Sequence, residues 1–120
     1  MHLISNVVRL LCEHGADVNA ADHSGNCPIH YCAMTMNLEA AKYLLQEHNA
    51  QINALNSENH TALYYVAIDA HPDVRFAKML IEGGGNLGRT KKLQPWPSNA
   101  SKSQQAVRDM ILAKGVRPVS

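Results

Sequence analysis

An internal repeat constrains the fold of this 120-residue chain more than any other feature of its sequence. The segments CPIHYCA (27–33) and TALYYVA (61–67) begin 34 positions apart. Each is followed by an apolar helical pattern that ends on asparagine or glycine, AAKYLLQEHNAQINA (40–54) and FAKMLIEGGGNLGR (76–89), and VVRLLCEHGADVNA (7–20) has the same form. Because one unit of this length cannot cover its own apolar face, the units must stack side by side and share a core.

Each complete copy predicts a turn, a short helix, a connection and a longer helix. In the longer helix, apolar residues recur every three or four positions and make one stripe, while polar residues fall on the opposite side. In the second copy the stripe contains Leu38, Ala41, Leu44, Leu45 and His48, and the polar side contains Glu39, Lys42 and Glu47. In the third copy the stripe contains Val74, Ala77, Leu80 and Ile81. Helix stops in a left-handed conformation are expected at Gly15, Asn49 and Gly84.

A degenerate fourth copy follows the third. QPWPSNA (94–100) lies 33 residues after TALYYVA, and AVRDMILAKG (106–115) predicts its second helix. Trp96 stands between two prolines in this copy, where it either covers the end of the core or anchors a partner.

The segment GADVNAADHSGNCPIHYCA (15–33) resembles the ankyrin repeat, whose pattern runs Asp-x-x-Gly-x-Thr-Pro-Leu-His-x-Ala-Ala and then a second helix ending Leu-Leu-x-x-Gly-Ala-Asp-x-Asn-Ala. The matching residues are Asp22, Gly25, Pro28, Ile29, His30 and Ala33, and then Gly15, Ala16, Asp17, Asn19 and Ala20. The third copy keeps Thr61, Leu63, Ala67, Leu80 and Gly84, but has Asn56, Asn59 and Tyr64 where the family has aspartate, glycine and histidine. The resemblance implies an all-α ankyrin repeat solenoid of stacked helix-turn-helix units with protruding turns.

This resemblance divides a single domain, residues 1–120, into about three to four repeats. They are a partial first repeat (1–21), a second (22–55), a third (56–88) and a degenerate capping repeat (89–120). The connections at 46–49 and 69–73 are longer than the usual unit. Met1 stands where the first helix should already be complete, so we expect a piece of a longer protein or a truncated isoform. Its open N-terminal end leaves Val7, Leu10 and Leu11 partly uncovered, so we expect either weak self-association or fraying of residues 1–14.

Charge and cysteine usage limit the function classes. With 11 basic and 10 acidic residues the net charge is +1, which recruits neither nucleic acid nor a membrane surface. No apolar run approaches the ~18 residues of a membrane span. Three cysteines without a secretory leader predict a cytoplasmic or nuclear protein.

Four residues raise the question of a tetrahedral zinc site: His23, Cys27, His30 and Cys32. Side chains 30 and 32 on one short helix point about 200° apart, so they do not readily share an ion. The resemblance to the ankyrin repeat implies structural roles instead. His30 bridges turns by hydrogen bonds, Cys27 replaces a threonine, and Cys32 and Cys12 are small buried groups. No metal or other cofactor is expected.

Catalysis has little support in the sequence. The cysteines are expected to be buried, whereas a nucleophilic thiol needs some exposure and a lowered pKa. Glu13, Glu39, Glu47 and Glu82 are expected on solvated outer helix faces, and EGGGN (82–86) lacks the lysine and the strand of a phosphate loop. The chain is therefore predicted not to be an enzyme.

The family resemblance implies a non-enzymatic module that binds a partner protein through turn tips and a concave inner-helix face. The alternative is a regulatory or inhibitory fragment of a larger signalling enzyme or transcription regulator. The expected partner-binding residues are His23, Ser24, Asn26, Met34, Thr35, Ser57, Glu58, His60, Ile68, Asp69, Thr90 and Lys91. The resemblance also suggests β-hydroxylation of Asn19 and Asn53, which occupy the late asparagine of the repeat.

Overall fold

The computed structural model describes Gly15 and residues 17–89 and 96–116. These residues form five helices and no strand, namely α1 (Pro28–Met34), α2 (Leu38–Glu47), α3 (Ala62–Ile68), α4 (Val74–Glu82) and α5 (Lys102–Ala113). The predicted all-α class is confirmed. The expectations for Val7, Leu10, Leu11, Cys12 and Glu13, and those for Thr90 and Lys91, fall outside the described residues.

The helices stack as two layers. The short helices α1 and α3 pack against each other, each contacts the longer helix that follows it, and α5 packs on α4 and the neighbouring α3. Five small residues lie at the contacts and let the helices approach closely: Ala33, Ala41, Ala62, Ala67 and Ala77, all fully buried. The short-helix, long-helix alternation predicted from the sequence is confirmed for the second and third copies.

Leucine, isoleucine and phenylalanine fill the space between the helices. Ile29, Leu44, Leu63 and Leu80 are at most 1% exposed, and burying a side chain of this size stabilises the fold by ~1.5–3 kcal/mol. The predicted stripes face this core, while Glu39, Lys42 and Glu47 face solvent. Phe76, the largest fully buried side chain, lies outside the predicted stripe.

Side-chain caps and left-handed residues account for where the helices begin and end. Asn37, Thr61 and Asp73 each accept a hydrogen bond from a backbone N–H of the first turn, at 3.2, 3.3 and 2.9 Å. These contacts satisfy donors that have no partner within the helix. The predicted left-handed conformation is confirmed, since Gly15, Asn49 and Gly84 adopt φ angles of 83°, 55° and 89°. Asn49 and Gly84 each lie two residues after the end of a helix, whereas the helix expected before Gly15 lies outside the described residues.

The last helix differs from the sequence prediction. It begins at Lys102, four residues before the predicted start at 106, and residues 96–101 are not helical. Ser101 Oγ accepts from Gln104 N at 3.1 Å and Gln104 Oε1 accepts from Ser101 N at 2.8 Å. This reciprocal cap starts the helix earlier than the apolar pattern alone indicates.

The same two side chains attach α5 to the long connection after α3. Ser101 Oγ donates to the carbonyl of Ala70 at 2.7 Å, and Gln104 Nε2 donates to the carbonyl of Asp69 at 2.8 Å. Trp96, just before this helix, is half-buried and packs against the core. Its packing favours the capping role over that of an exposed anchor.

Candidate protein-binding face

Two turns with the same hydrogen-bond pattern project beside the short helices α1 and α3, which we call the inner helices. The first turn tip (22–26) and the second turn tip (56–60) each close with a backbone hydrogen bond, from Asp22 N to Asn26 O at 3.1 Å and from Asn56 N to His60 O at 3.2 Å. A side-chain oxygen of the first residue in each turn then accepts two backbone N–H groups within the turn. Aspartate and asparagine both do this, so the third copy keeps the turn although its aspartate is replaced.

The two turn tips are joined directly to each other. Ser57 N donates to Ser24 O at 3.0 Å, and Asn56 Nδ2 donates to Asn26 Oδ1 at 2.9 Å. Gly25 has a φ of 74°, and a Cβ at this position would lie 2.6 Å from Ser57 N. Glycine is therefore needed here both for its backbone angle and for the close approach of the next turn.

His30 connects the inner helix to both turns. Its buried ring accepts from Cys27 N at Nδ1, at 2.9 Å, which places the proton on Nε2. Nε2 donates to the carbonyls of Ala54 at 2.9 Å and His60 at 3.0 Å. The predicted bridging role is confirmed. Both ring nitrogens are used by the backbone, so neither offers a lone pair to a metal ion.

The cysteines near His30 have structural positions. Cys27 and Cys32 are buried free thiols, and Cys27 Sγ lies 3.4 Å from Asn19 O. Burial raises the pKa of Cys32 to about 11. A protonated, inaccessible thiol cannot act as a nucleophile at neutral pH. Within the described part of the chain, no group of three or more His, Cys, Asp or Glu side chains is arranged to hold a metal.

Three exposed apolar side chains form what we call the inner-helix face: Tyr31, Met34 and Ile68, which are 46%, 37% and 38% exposed. Met34 and Ile68 stand at equivalent positions of α1 and α3, which pack side by side. Tyr31 lies one turn before Met34 on the same side of α1. The sequence predicts Met34 and Ile68 but not Tyr31, although the unspecified position between the histidine and the alanine of the repeat pattern is a signal for it.

Tyr31 also belongs to a pair that the third copy repeats with different chemistry. The Tyr31 hydroxyl donates to the Asp22 carboxylate, whereas the Tyr65 hydroxyl accepts from Asn56 Nδ2 at 2.6 Å. The bond from Tyr31, with those from the backbone N–H groups of Asn26 and Ser24, lowers the pKa of Asp22. The same bond raises the pKa of Tyr31. At this one position the first turn tip thus carries a negative charge at neutral pH, from Asp22, whereas the second carries the neutral amide of Asn56.

The predicted partner-binding residues divide into two groups by accessibility. Asn26, His60 and Asp69 are half-buried and take part in contacts within the protein. The others that the structure describes are exposed beside the turn tips and the inner-helix face: His23, Ser24, Met34, Thr35, Ser57, Glu58 and Ile68.

The second turn tip rests on an aromatic pair. The ring of His60 stacks on Tyr64 with centroids 3.8 Å apart and meets Tyr65 edge-on at 5.6 Å. Burial lowers the pKa of His60, and the nearby Glu58 carboxylate opposes this effect. Glu39, Glu47 and Glu82 lie exposed on the longer helices α2 and α4, as predicted. They therefore contribute no paired carboxylates to the inner-helix face.

Two family models match the chain. One, described as ankyrin repeats (3 copies), matches residues 2–56, and the other, described as ankyrin repeats (many copies), matches residues 37–81. The chain belongs to the ankyrin repeat family. The described helices are consistent with an ankyrin solenoid of about three repeats. No match was found among the curated proteins.

The late asparagines of this ankyrin chain join successive repeats. Asn19 Oδ1 accepts from Gln51 N at 2.9 Å, and Asn53 Oδ1 accepts from Asn86 N at 2.8 Å. Asn53 also donates to the carbonyl of Gly84 at 3.1 Å.

None of the helices that the structure describes has the length and the apolar character that crossing a bilayer requires.

Proposed function

We propose that this ankyrin repeat chain is a non-enzymatic protein-binding module that holds a partner protein against its turn tips and its inner-helix face. Ankyrin repeats generally mediate protein–protein interaction, and the two family matches together cover residues 2–81, which contain both turn tips and both inner helices. The equivalent exposure of Met34 and Ile68 on neighbouring helices is the observation that carries the proposal. Apolar side chains in register make a continuous patch, which scattered exposed residues do not.

The proposed mechanism is recognition by a preformed surface. Hydrogen bonds from Ser57 to Ser24 and from His30 to His60 hold the tips in place before any partner arrives. A rigid surface loses little conformational entropy on binding. Flexible Met34 adapts to the shape of an apolar partner side chain, while the tips supply polar groups. The proposed contacts are His23, Ser24, Asn26, Met34, Thr35, Ser57, Glu58, His60, Ile68, Asp69, Thr90 and Lys91, to which we add Tyr31.

The partner is proposed to be a protein, not nucleic acid or a membrane surface, because the net charge is only +1. We also propose that the chain acts in the cytoplasm or nucleus. The free thiols of Cys27 and Cys32 support a reducing compartment.

Affinity capture with face-specific variants tests the proposal. The double variant Met34→Ser/Ile68→Ser removes the apolar patch, and a second variant changes Ser57, Glu58 and Asp69 together. Leu112→Ser is the matched control, since Leu112 is 50% exposed on α5, outside the proposed surface. A partner recovered with the wild type and the control should fall at least ~10-fold with the double variant. Equal recovery of every captured protein by the wild type, the control and both variants would contradict the proposal that this surface binds a partner.

We also propose that Asn19 and Asn53 are sites of β-hydroxylation. Both are half-buried in exposed connections between repeats, which supports access after a local opening. Peptide mass analysis after incubation with an asparaginyl hydroxylase tests this. A mass increase on the Asn19 and Asn53 peptides is expected, and unmodified peptides would contradict the proposal.

A further inference from the structure

His60 has a ring nitrogen without a hydrogen-bond partner. Its Nδ1 is buried, and no described residue donates to it or accepts from it. The nearby Glu58 carboxylate is 4.0 Å away, which is beyond hydrogen-bond distance. Buried polar atoms are seldom left unpaired in folded proteins, so a change in protonation at this atom has structural consequences.

The side chains of His60 and Glu58 differ in their freedom to close the 4.0 Å gap between them. The ring of His60 is stacked on Tyr64, and its backbone is held at both ends, by Asn56 Oδ1 at its N–H and by His30 Nε2 at its carbonyl. The Glu58 side chain is 75% exposed, and toward the described residues its only hydrogen bond runs from its backbone N–H to Asn56 Oδ1 at 3.0 Å. Any closure therefore comes from movement of the glutamate.

We propose that the second turn tip is a proton-sensitive latch, in which protonation of His60 at Nδ1 draws the Glu58 carboxylate across the gap into an ion pair. The proton comes from solvent, and no bond between heavy atoms changes. The stacked Tyr64 ring stabilises the imidazolium by a cation–π contact. Closing the latch withdraws an exposed carboxylate from the tip and reshapes its surface.

The surroundings of His60 set the pH range of the latch. The titratable groups facing the ring are Glu58 on the same tip, His30 on α1, and Tyr64 and Tyr65 on α3. Burial keeps the pKa of His60 below its ordinary value, so the ring is neutral at neutral pH. The latch is open there and closes as the pH falls below about 6.5. It is a property of the isolated chain and does not rest on the proposed binding function.

Nuclear magnetic resonance of the full isotope-labelled chain tests the latch between about pH 7.5 and about pH 5. The His60 ring resonances should titrate below about pH 6.5, and the backbone amides of residues 57–60 should shift with the same midpoint. In the variant Glu58→Gln, the His60 midpoint should fall by a further ~0.3 pH units or more, and the acid-induced shift of the residue 58 amide should disappear.

The variant Glu47→Gln is the matched control, because Glu47 is an exposed glutamate on α2 beside another histidine, His48. It should leave the His60 midpoint unchanged. The latch is overturned if the amides of 57–60 do not move when His60 titrates, or if Glu58→Gln changes neither the midpoint nor the shifts. Global unfolding before His60 titrates would also overturn it.

Discussion

The Nε2 atom of His30 and the carbonyl oxygen of His60 are joined by a 3.0 Å hydrogen bond that connects an inner helix with the turn tip of the next repeat. Since His30 also binds Cys27 N and Ala54 O, one buried ring positions three backbone segments. The shape of the candidate binding face thus depends on a residue that the partner would not contact.

Replacing His30 by alanine should destabilise the protein by ~2–4 kcal/mol, because buried backbone groups lose their partner and a cavity forms. Urea unfolding followed by circular dichroism measures the loss. His23→Ala, on an exposed turn residue, should change the unfolding free energy by less than ~0.5 kcal/mol. Equal effects of the two substitutions would show that the His30 bridge contributes nothing to stability.

Alanine substitutions at two glycines separate backbone strain from close contact. Gly84 has a φ of 89° with nothing within 4 Å of an added Cβ, so Gly84→Ala should cost ~1–2 kcal/mol from the backbone angle alone. Gly25→Ala should cost at least ~1 kcal/mol more, because its Cβ would also meet Ser57 N at 2.6 Å. Thermal and urea unfolding measure the loss of stability in both variants. A smaller loss for Gly25→Ala than for Gly84→Ala would contradict the close contact between the two turn tips.

Ser101 should control the start of α5. Ser101→Ala removes the cap to Gln104 N and the bond to Ala70 O, and should cost ~1–2 kcal/mol. Hydrogen exchange should show faster exchange in the first turn of α5. The control Ser103→Ala lies inside the same helix and removes no cap, so it should leave that exchange slow. Exchange that is equally slow in both variants would refute the role of the cap.

Burial of Cys32 should make it unreactive in the native protein. With a pKa of about 11, its thiolate at neutral pH is on the order of 10²-fold rarer than that of a free cysteine. Alkylation by iodoacetamide, followed by peptide mass analysis, should be at least ~100-fold slower in native protein than in urea. Comparable rates would contradict the buried position.

The raised pKa of Cys32 also predicts the sign of a pH effect on stability. The unfolded chain releases the thiol proton at a lower pH than the folded chain does. This contribution to stability is therefore complete below about pH 8.5 and declines as the pH rises toward the folded pKa. Unfolding titrations of wild type and Cys32→Ala between neutral and alkaline pH measure it, and an identical pH dependence of the two would contradict it.

Much of the fold could be predicted because its signals are local. The three- and four-residue spacing of Leu80 and its neighbours identified the buried side of α4, and Asn49 and Gly84 marked the helix stops. The start of α5 was missed because the apolar pattern begins after its cap. The Ser101 and Gln104 pair was nevertheless present as a sequence signal.

The candidate site was less predictable because it depends on contacts between repeats. Asn26 and His60 look like free turn residues in the sequence, yet Asn26 accepts a hydrogen bond from Asn56, and the His60 carbonyl accepts one from His30. Tyr31 was overlooked, although it is among the most exposed large apolar side chains described.

By itself, the sequence determined the all-α repeat architecture, the apolar sides of the helices and the bridging place of His30, because periodicity, caps and the family pattern are written within one repeat. Only the tertiary structure decided which turn residues stay exposed and which pair with the next turn, as Asn26 does with Asn56. The physical reason is that stacking brings together residues 30 or more positions apart, and their approach sets the burial of each polar group.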